Sequence, residues 1–409
     1  MANGILKIKV ISGRTASPVA GARIQIASSG NPDRVLEEIV TDNDGIANDI
    51  TLEAPPLSYS MEPSDNQPYS EYNIKINAEG FDGQIITGVQ MFDSQKGIQN
   101  IILDEEETEN DTYNPSVIGA HTLWEDYPPK IAEDEIKAVA ESGEIVLSRV
   151  VIPETIVIHD GAPSDSTAKD YYVPYKDYIK NVVSNEVYST WPDAALRANI
   201  LAIMSFTLNR VYTEWYRGKG YDFTITSSTA YDQKWIYNKT IYENISQIVD
   251  EHFANYLSKP NVTQPLFTQY CDGKRVSCPG WMTQWGSKDL ADKGFSAIEI
   301  LRYYYGDTIY INTAETISGI PASYPGEELT IGSTGEKVRQ LQEELIRIRQ
   351  NYPSIPNLSV DGIYGPDTAA AVTRFQEIFD LPATGVTGYA TWYKISQIYV
   401  GVTKIAENV

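Results

Sequence analysis

Apolar residues recur at every second position through residues 4–104 and at helical spacing from Tyr175 onward, with an acidic run between the two regimes. One element cannot serve both periods, because alternate side chains of a strand face opposite ways whereas a helix returns to the same face after three or four residues. The chain must therefore contain differently built units. In the first, Leu6, Ile8 and Val10, then Ile24 and Ile26, then Tyr72, Ile74 and Ile76, and finally Ile101 and Leu103 mark strands with one buried face. Pro18-Val19-Ala20-Gly21-Ala22 and Asp42-Asn43-Asp44-Gly45 supply the corners, and a β-sandwich is expected.

Asp104, Glu105, Glu106 and Glu107, followed by Glu109 and Asp111, repel one another and offer nothing apolar to bury. Residues 105–149 are read as an exposed linker, continued irregularly through Pro128-Pro129, and as a candidate processing region. Val150-Val151-Ile152 and Ile156-Val157-Ile158 read as strands. Two helices then follow. Tyr175 to Val187 is amphipathic, and Asp193 to Arg217 is apolar on nearly every side, as a buried central helix is. Thr190-Trp191-Pro192-Asp193 reads as its start, with a hydroxyl at the cap, Pro in the first turn and an acid beyond. The last unit, 326–402, places Val338, Leu341 and Leu345 at helical spacing, then Asp361-Gly362-Ile363-Tyr364-Gly365, then Phe375-Gln376, then Thr391-Trp392. Three short helices separated by turns are expected, with Leu341, Phe375 and Trp392 in their core.

Composition narrows the partners. A formal charge of -23 on 409 residues disfavours nucleic acid and anionic membranes, which are held by clustered Lys and Arg. No stretch approaches the roughly 20 apolar residues of a membrane span, and the start shows no classical signal peptide. Tyrosine outnumbers phenylalanine 28 to 9, and a hydroxyl-tipped ring serves equally well for stacking on a sugar or for a half-buried core. Cys271 and Cys278 leave three states open: a local disulfide, free buried thiols, or zinc, which needs more ligands than the distant histidines supply.

On the first helix Glu186 shares a face with Ile179, Val182 and Val183. Partial desolvation there disfavours the charged carboxyl and suits it to proton transfer. A Glu at a helix end that turns to solvent fits the same spacing.

Several blocks resemble known families. Residues 4–104 resemble carboxypeptidase-regulatory-like or transthyretin-like sandwiches, which implies an accessory or pro domain. The DGIYG turn and its flanking anchors resemble the type 1 peptidoglycan-binding domain. "DYIKNVVSNEVYSTWPDAALRANILAIMSFTLNR", "STAYDQKW" and "MTQWGSKDLADKGFSAIEILRYYYGDTI" resemble SpoIID-type lytic transglycosylases across about residues 172–311, and the whole chain is similar to SleC-type spore cortex-lytic enzymes. The expected fold is multidomain α+β: a sandwich over 1–104, the linker, a mainly helical α+β SpoIID-like domain over 150–315, and the three-helix unit.

The resemblance implies a peptidoglycan lytic transglycosylase without cofactor or metal, deposited in the spore cortex or coat region, active at germination and made as a zymogen cut by an activating protease. Glu186 maps to the catalytic residue. Arg197, Tyr231, Gln233, Gln284 and Trp285 map to substrate-binding positions, while Met204 stands where the family commonly has a second Arg. Peptidoglycan glycan is the expected partner. Alternatives are a hydrolytic muramidase, with Asp222 or Asp232 beside Glu186, and a non-catalytic wall-binding protein.

Overall fold

The alternating stretch folds into two packed sheets. In the computed structural model, which describes residues 2–106, 113–125, 128–135, 149–320 and 323–406, strands β1 (Ala2–Ser12), β2 (Arg23–Ser28), β3 (Val35–Val40) and β4 (Ile46–Ala54) come first. A one-turn helix α1 (Ser58–Met61) follows, then β5 (Ser70–Asn77), β6 (Gly83–Met91), β7 (Lys96–Leu103) and β8 (Tyr113–Val117). One sheet holds β4, β1 and β7, and the other runs β3-β2-β5-β6-β8. Each residue assigned to the inner face is at most 4% exposed. At the Asp42–Gly45 corner the Asp42 carboxylate accepts the N–H groups of Asp44 and Ile46, both at 2.9 Å. Gly45 sits at φ 70° with its Cβ direction 2.4 Å from the Val10 carbonyl oxygen, so a side chain has no room there.

The segment read as an irregular, exposed connector is ordered where it is described. Residues 113–117 form β8, parallel to β6, and Ile118, His121, Leu123 and Lys130 are buried. Its sequence shows no period because much of it is fastened by hydrogen bonds to other parts of the molecule. Residues 107–112, 126–127 and 136–148, which hold much of the acidic run and of the anticipated cleavage window, lie outside the described residues.

The central domain opens with β9 (Val151–Ile152), β10 (Thr155–His159) and β11 (Asp170–Pro174), then α2 (Tyr175–Glu186) and α3 (Asp193–Tyr212). Helix α3 is buried on nearly all sides. It ends at Tyr212 instead of Arg217, because Glu214 adopts φ 47°, outside the helical region. Its start differs too: Thr190 does not cap it, the Thr190 hydroxyl donating instead to Ser60 Oγ at 2.8 Å. Trp191 Nε1 donates to the Ser60 carbonyl at 3.0 Å, and Pro192 is the N-cap. This turn is therefore shaped by the sandwich.

Beyond α3 come β12 (Ile225–Thr226), β13 (Ile241–Tyr242), α4 (Glu243–His252), β14 (Asn255–Ser258), β15 (Tyr270–Cys271), β16 (Met282–Thr283), α5 (Gln284–Asp292), α6 (Ala297–Tyr305), β17 (Tyr310–Thr313) and β18 (Thr316–Ile317). Strand β13 pairs antiparallel with β7, so the central domain lends the sandwich an edge strand. Cys271 and Cys278 form a disulfide with a Cα separation of 5.7 Å, which decides among the three open states and removes both sulfurs from any metal role.

The final helices are α7 (Glu336–Arg349), α8 (Pro366–Ile378) and α9 (Tyr389–Ala406). Leu341, Phe375 and Trp392 are core residues, and Tyr364 of the DGIYG turn donates its hydroxyl to the Gly385 carbonyl at 2.8 Å. This unit is docked and not merely tethered. Asp380 takes ion pairs from Lys7 at 2.5 Å and Lys9 at 2.6 Å, Arg374 pairs with Asp44 at 2.7 Å, and Phe253 of the central domain packs on Tyr389 and Tyr393. No described helix is long and apolar enough to cross a membrane.

Candidate active site

Glu186 ends α2, and burial of Ile179, Val182 and Val183 pulls that helix face inward. The carboxylate follows them and is 2% exposed. Burial of an unpaired carboxylate is prohibitive, so its donors are decisive. Oε1 accepts the backbone N–H of Lys234 at 2.9 Å, and Oε2 accepts from Gln284 Nε2 at 3.0 Å. The same amide donates to the Glu186 carbonyl at 2.9 Å. Gln284, the first residue of α5, thus fixes both the carboxyl and the helix end that carries it. Its own Oε1 has no hydrogen-bond partner among the described residues.

Nearby groups are also buried. The Tyr270 hydroxyl is held well above its ordinary range by burial, with the Glu186 charge adding to the effect. Lys130 lies 4.9 Å from the Tyr270 ring centroid and donates to the Asp232 carbonyl. Burial lowers its pKa, and Glu186 and Asp232 partly oppose that shift.

Lys130 belongs to the stretch misread as exposed linker, and that stretch straps the site. Thr122 donates its N–H to the Asn185 carbonyl at 3.1 Å, one residue before Glu186, while the neighbouring His121 donates its N–H to the Tyr69 hydroxyl and accepts that of Leu123 on Nδ1. The His121 ring packs 4.5 Å from Tyr188, and burial holds it well below its ordinary pKa. Arg275 donates to the Leu123 carbonyl, Glu125 pairs with Lys234 at 3.5 Å, and Ile131 donates its N–H to the Ala230 carbonyl at 2.7 Å. Gln269 is bonded to the strap at both ends of its amide, through the Glu133 N–H and the Ile131 carbonyl. The strap is therefore fastened to the end of α2 and to the Lys234 loop, two of the segments beside Glu186.

Among the described residues, the two other carboxylates considered for the site are not available beside Glu186. Asp232 is fully buried, and its oxygens accept from Arg210 Nε at 2.8 Å, the Tyr216 hydroxyl at 2.6 Å, and the Thr226 N–H and hydroxyl at 2.9 and 2.7 Å. Arg210 also grips Glu133 of the strap through two bonds of 2.7 and 2.9 Å. Asp222 is exposed on the loop after α3.

The other anticipated ligands take different positions. Gln233 is a buried brace, accepting from Tyr178 at 3.0 Å and Thr207 at 2.8 Å and donating to the Ile203 carbonyl at 3.2 Å. Trp285 packs 5.0 Å from Trp191 in the core. Arg197 faces α4, pairing with Asp193 at 2.7 Å and Glu251 at 3.0 Å. Its spacing along α3 turns it to the surface, and the Trp191-Pro192 turn does not bring it back. Tyr231 is half-buried, with its carbonyl taken by Arg210 at 3.2 Å. Of the five anticipated ligands, Gln284 is the one hydrogen-bonded to the Glu186 carboxylate. Sequence reading missed Lys130, Tyr270 and Arg210. Arg210 alone carried a signal, as a cation inside an otherwise apolar helix.

The model of the Stage II sporulation protein family, SpoIID, matches residues 164–256, and that of a peptidoglycan binding domain matches 334–395. The chain thus joins a SpoIID-type segment to a C-terminal peptidoglycan-binding segment. Within that architecture, the SpoIID match contains Glu186, Lys234 and Asp232, whereas Gln284 lies beyond its end. The chain is also similar to the zinc D-Ala-D-Ala carboxypeptidase of Streptomyces albus G, with 49% identity over 71 residues. That match spans 17% of this chain and only 26% of the relative. Among solved structures, the SleB N-terminal domain is 32% identical over 18% of this chain and 93% of its own, with a TM-score of 0.16. The 5-hydroxyisourate hydrolase of Klebsiella pneumoniae is 18% identical over 24% of this chain and 89% of its own, with a TM-score of 0.17.

Proposed function

We propose that this chain is a peptidoglycan lytic transglycosylase of the SleC type, acting on spore cortex during germination, with Glu186 as its single acid and base. The observation that carries this reading is one buried carboxylate held by two donors, with the neighbouring Asp232 fully committed elsewhere. A hydrolytic glycosidase uses a second carboxyl, about 5–10 Å away, to attack or to activate water. A transglycosylase uses the C6 hydroxyl of N-acetylmuramic acid in its place.

Glu186 first gives its proton to the glycosidic oxygen as the bond from the muramic C1 breaks. The C6 hydroxyl oxygen then bonds to C1, and Glu186 takes the hydroxyl proton as the 1,6-anhydro ring closes. No water is consumed. Gln284 and the Lys234 N–H keep the carboxylate in place through both transfers.

The 2% exposure of Glu186 in the intact chain leaves a sugar no direct approach, which supports a zymogen held shut by residues 121–125 and 128–135. A protease acting between Asp104 and Arg149 would free an end of the strap. We assign peptidoglycan recognition to the C-terminal unit and a restraining role to the sandwich.

The test is mass analysis of glycan released from cortex by the intact chain and by the chain cut between Asp104 and Arg149. Fragments ending in anhydro-muramic acid, lighter by one water than a reducing end and abundant only after cutting, are expected. Reducing ends would select a muramidase, and equal activity before and after cutting would end the zymogen reading.

A further inference from the structure

Between the sandwich, the central domain and the C-terminal unit lies a cavity of about 320 Å³. At about 30 Å³ per water in the liquid, this is far more space than one structural water needs. Ile11 and Ala16 come from the sandwich, Pro153 and Tyr175 from the central domain, and Tyr393 and Val402 from α9. Such walls are mainly apolar, and the cavity between them is partly open to solvent, so an amphiphile can enter it.

Two polar groups on the lining lack partners. Tyr175 is 2% exposed, and its hydroxyl meets no hydrogen-bond partner among the described residues. Gln397 Oε1, from α9, is likewise unpaired. A buried polar group is costly when nothing satisfies it, so both point to an occupant.

The local charge indicates what the occupant carries. Lys176 also lines the cavity, is 8% exposed, and pairs with the Asp250 carboxylate at 3.2 Å. Lys180 pairs with the same carboxylate at 2.6 Å, and Lys394 acts on it as well. Glu154 is on the lining but is exposed to solvent. Lys176, Lys180 and Lys394 thus all act on the one Asp250 carboxylate, so ammonium groups outnumber the buried carboxylate next to Tyr175.

We propose that this junction cavity binds a monoanionic amphiphile, an apolar body with one carboxylate head, the head directed to Tyr175 and Lys176 and the body to the walls supplied by all three units. This reading is independent of the chemistry at Glu186. Because the walls come from three units, occupancy stabilises their docked arrangement, and the unfolding midpoint rises with ligand concentration.

Octanoate, with 1-octanol as its neutral counterpart, tests this on the full chain by calorimetric titration and thermal unfolding. Two variants accompany the native chain. Tyr175→Phe removes the donor and keeps the shape. Gly401→Leu fills the cavity from α9, at a lining position whose Cβ direction meets no atom within 4 Å. Saturable octanoate binding at a single site, weaker octanol binding, an affinity loss of about three- to tenfold in Tyr175→Phe, and no binding in a folded Gly401→Leu are expected. If Gly401→Leu fails to fold, Tyr175→Phe decides alone. Absence of saturable octanoate binding, octanol binding as tight as octanoate, or Tyr175→Phe affinity equal to that of the native chain would overturn the assignment.

Discussion

The sandwich and the central domain bury their interiors in opposite ways. The sandwich core is aliphatic almost throughout, from Leu6 to Leu103. The central domain encloses Glu186, Asn181, Asn185, Gln233, Gln284, Arg210, Asp232 and Asp250, each at most 7% exposed. An aliphatic core is stabilised by area removed from water and tolerates exchange of one apolar group for another. A buried polar network is stable only when its members are satisfied together, and such expensive interiors are kept where chemistry needs positioned charge. This contrast is the reason we place the proposed chemistry in the central domain and give the sandwich a supporting part.

The largest expected effect tests the chemical side of this contrast. In the chain cut between Asp104 and Arg149, Glu186→Gln should lower cleavage of cortex by at least about 10²–10⁴-fold, since an amide keeps the shape but transfers no proton. Circular dichroism and the unfolding midpoint should stay near those of the parent. Appreciable activity in the folded variant would remove Glu186 from the chemistry.

Next in size is the cost of breaking the polar network. Arg210→Met should destabilise the chain by about 3–5 kcal/mol in urea unfolding, because it leaves Asp232 charged and short of a partner in the interior. A loss below about 1 kcal/mol would mean that the interior is less sealed than its geometry indicates.

A smaller effect lies at the boundary between the two regions. Burial pushes the pKa of Lys239, at the seam with β6, down to about 7 from an ordinary 10.5, with Lys234 adding repulsion. The docked form therefore binds fewer protons than an undocked form between those values. Its stability should rise with pH across that window by up to about 1.4 kcal/mol per unit and stay level below about 7, where the lysine is protonated in both forms. Unfolding midpoints from pH 6 to 10 would show the slope, and Lys239→Met should flatten it. An unchanged slope in the variant would assign the titration elsewhere.

The smallest effect belongs to the sandwich core. Ile74→Val removes one buried methylene and should cost about 0.5–1.5 kcal/mol with no change in specific activity after cleavage. A change in activity would show that the sandwich shapes the site more directly than its position implies.

Sequence alone determined the elements whose physics is local. A period of two set the inward faces of the sandwich, helical spacing set α2 and the face that Glu186 shares with Ile179, Val182 and Val183, and the DGIYG corner pointed to the C-terminal fold. Tertiary structure decided the partners. Gln284 reaches Glu186 across 98 residues and Arg210 reaches Glu133 across 77, and no periodicity encodes such pairings. The same holds for Arg197 and Gln233, which the resemblance maps to substrate, whereas in the structure Arg197 pairs with Asp193 and Glu251 and Gln233 braces Tyr178 and Thr207. The strap was misread for a related reason: its acids and prolines resemble those of a solvated linker, and only hydrogen bonds and ion pairs to distant segments tie it down. Hydrogen bonds between distant segments carry no sequence signature of their own, so the carboxylate was legible while the groups that hold and cover it were not.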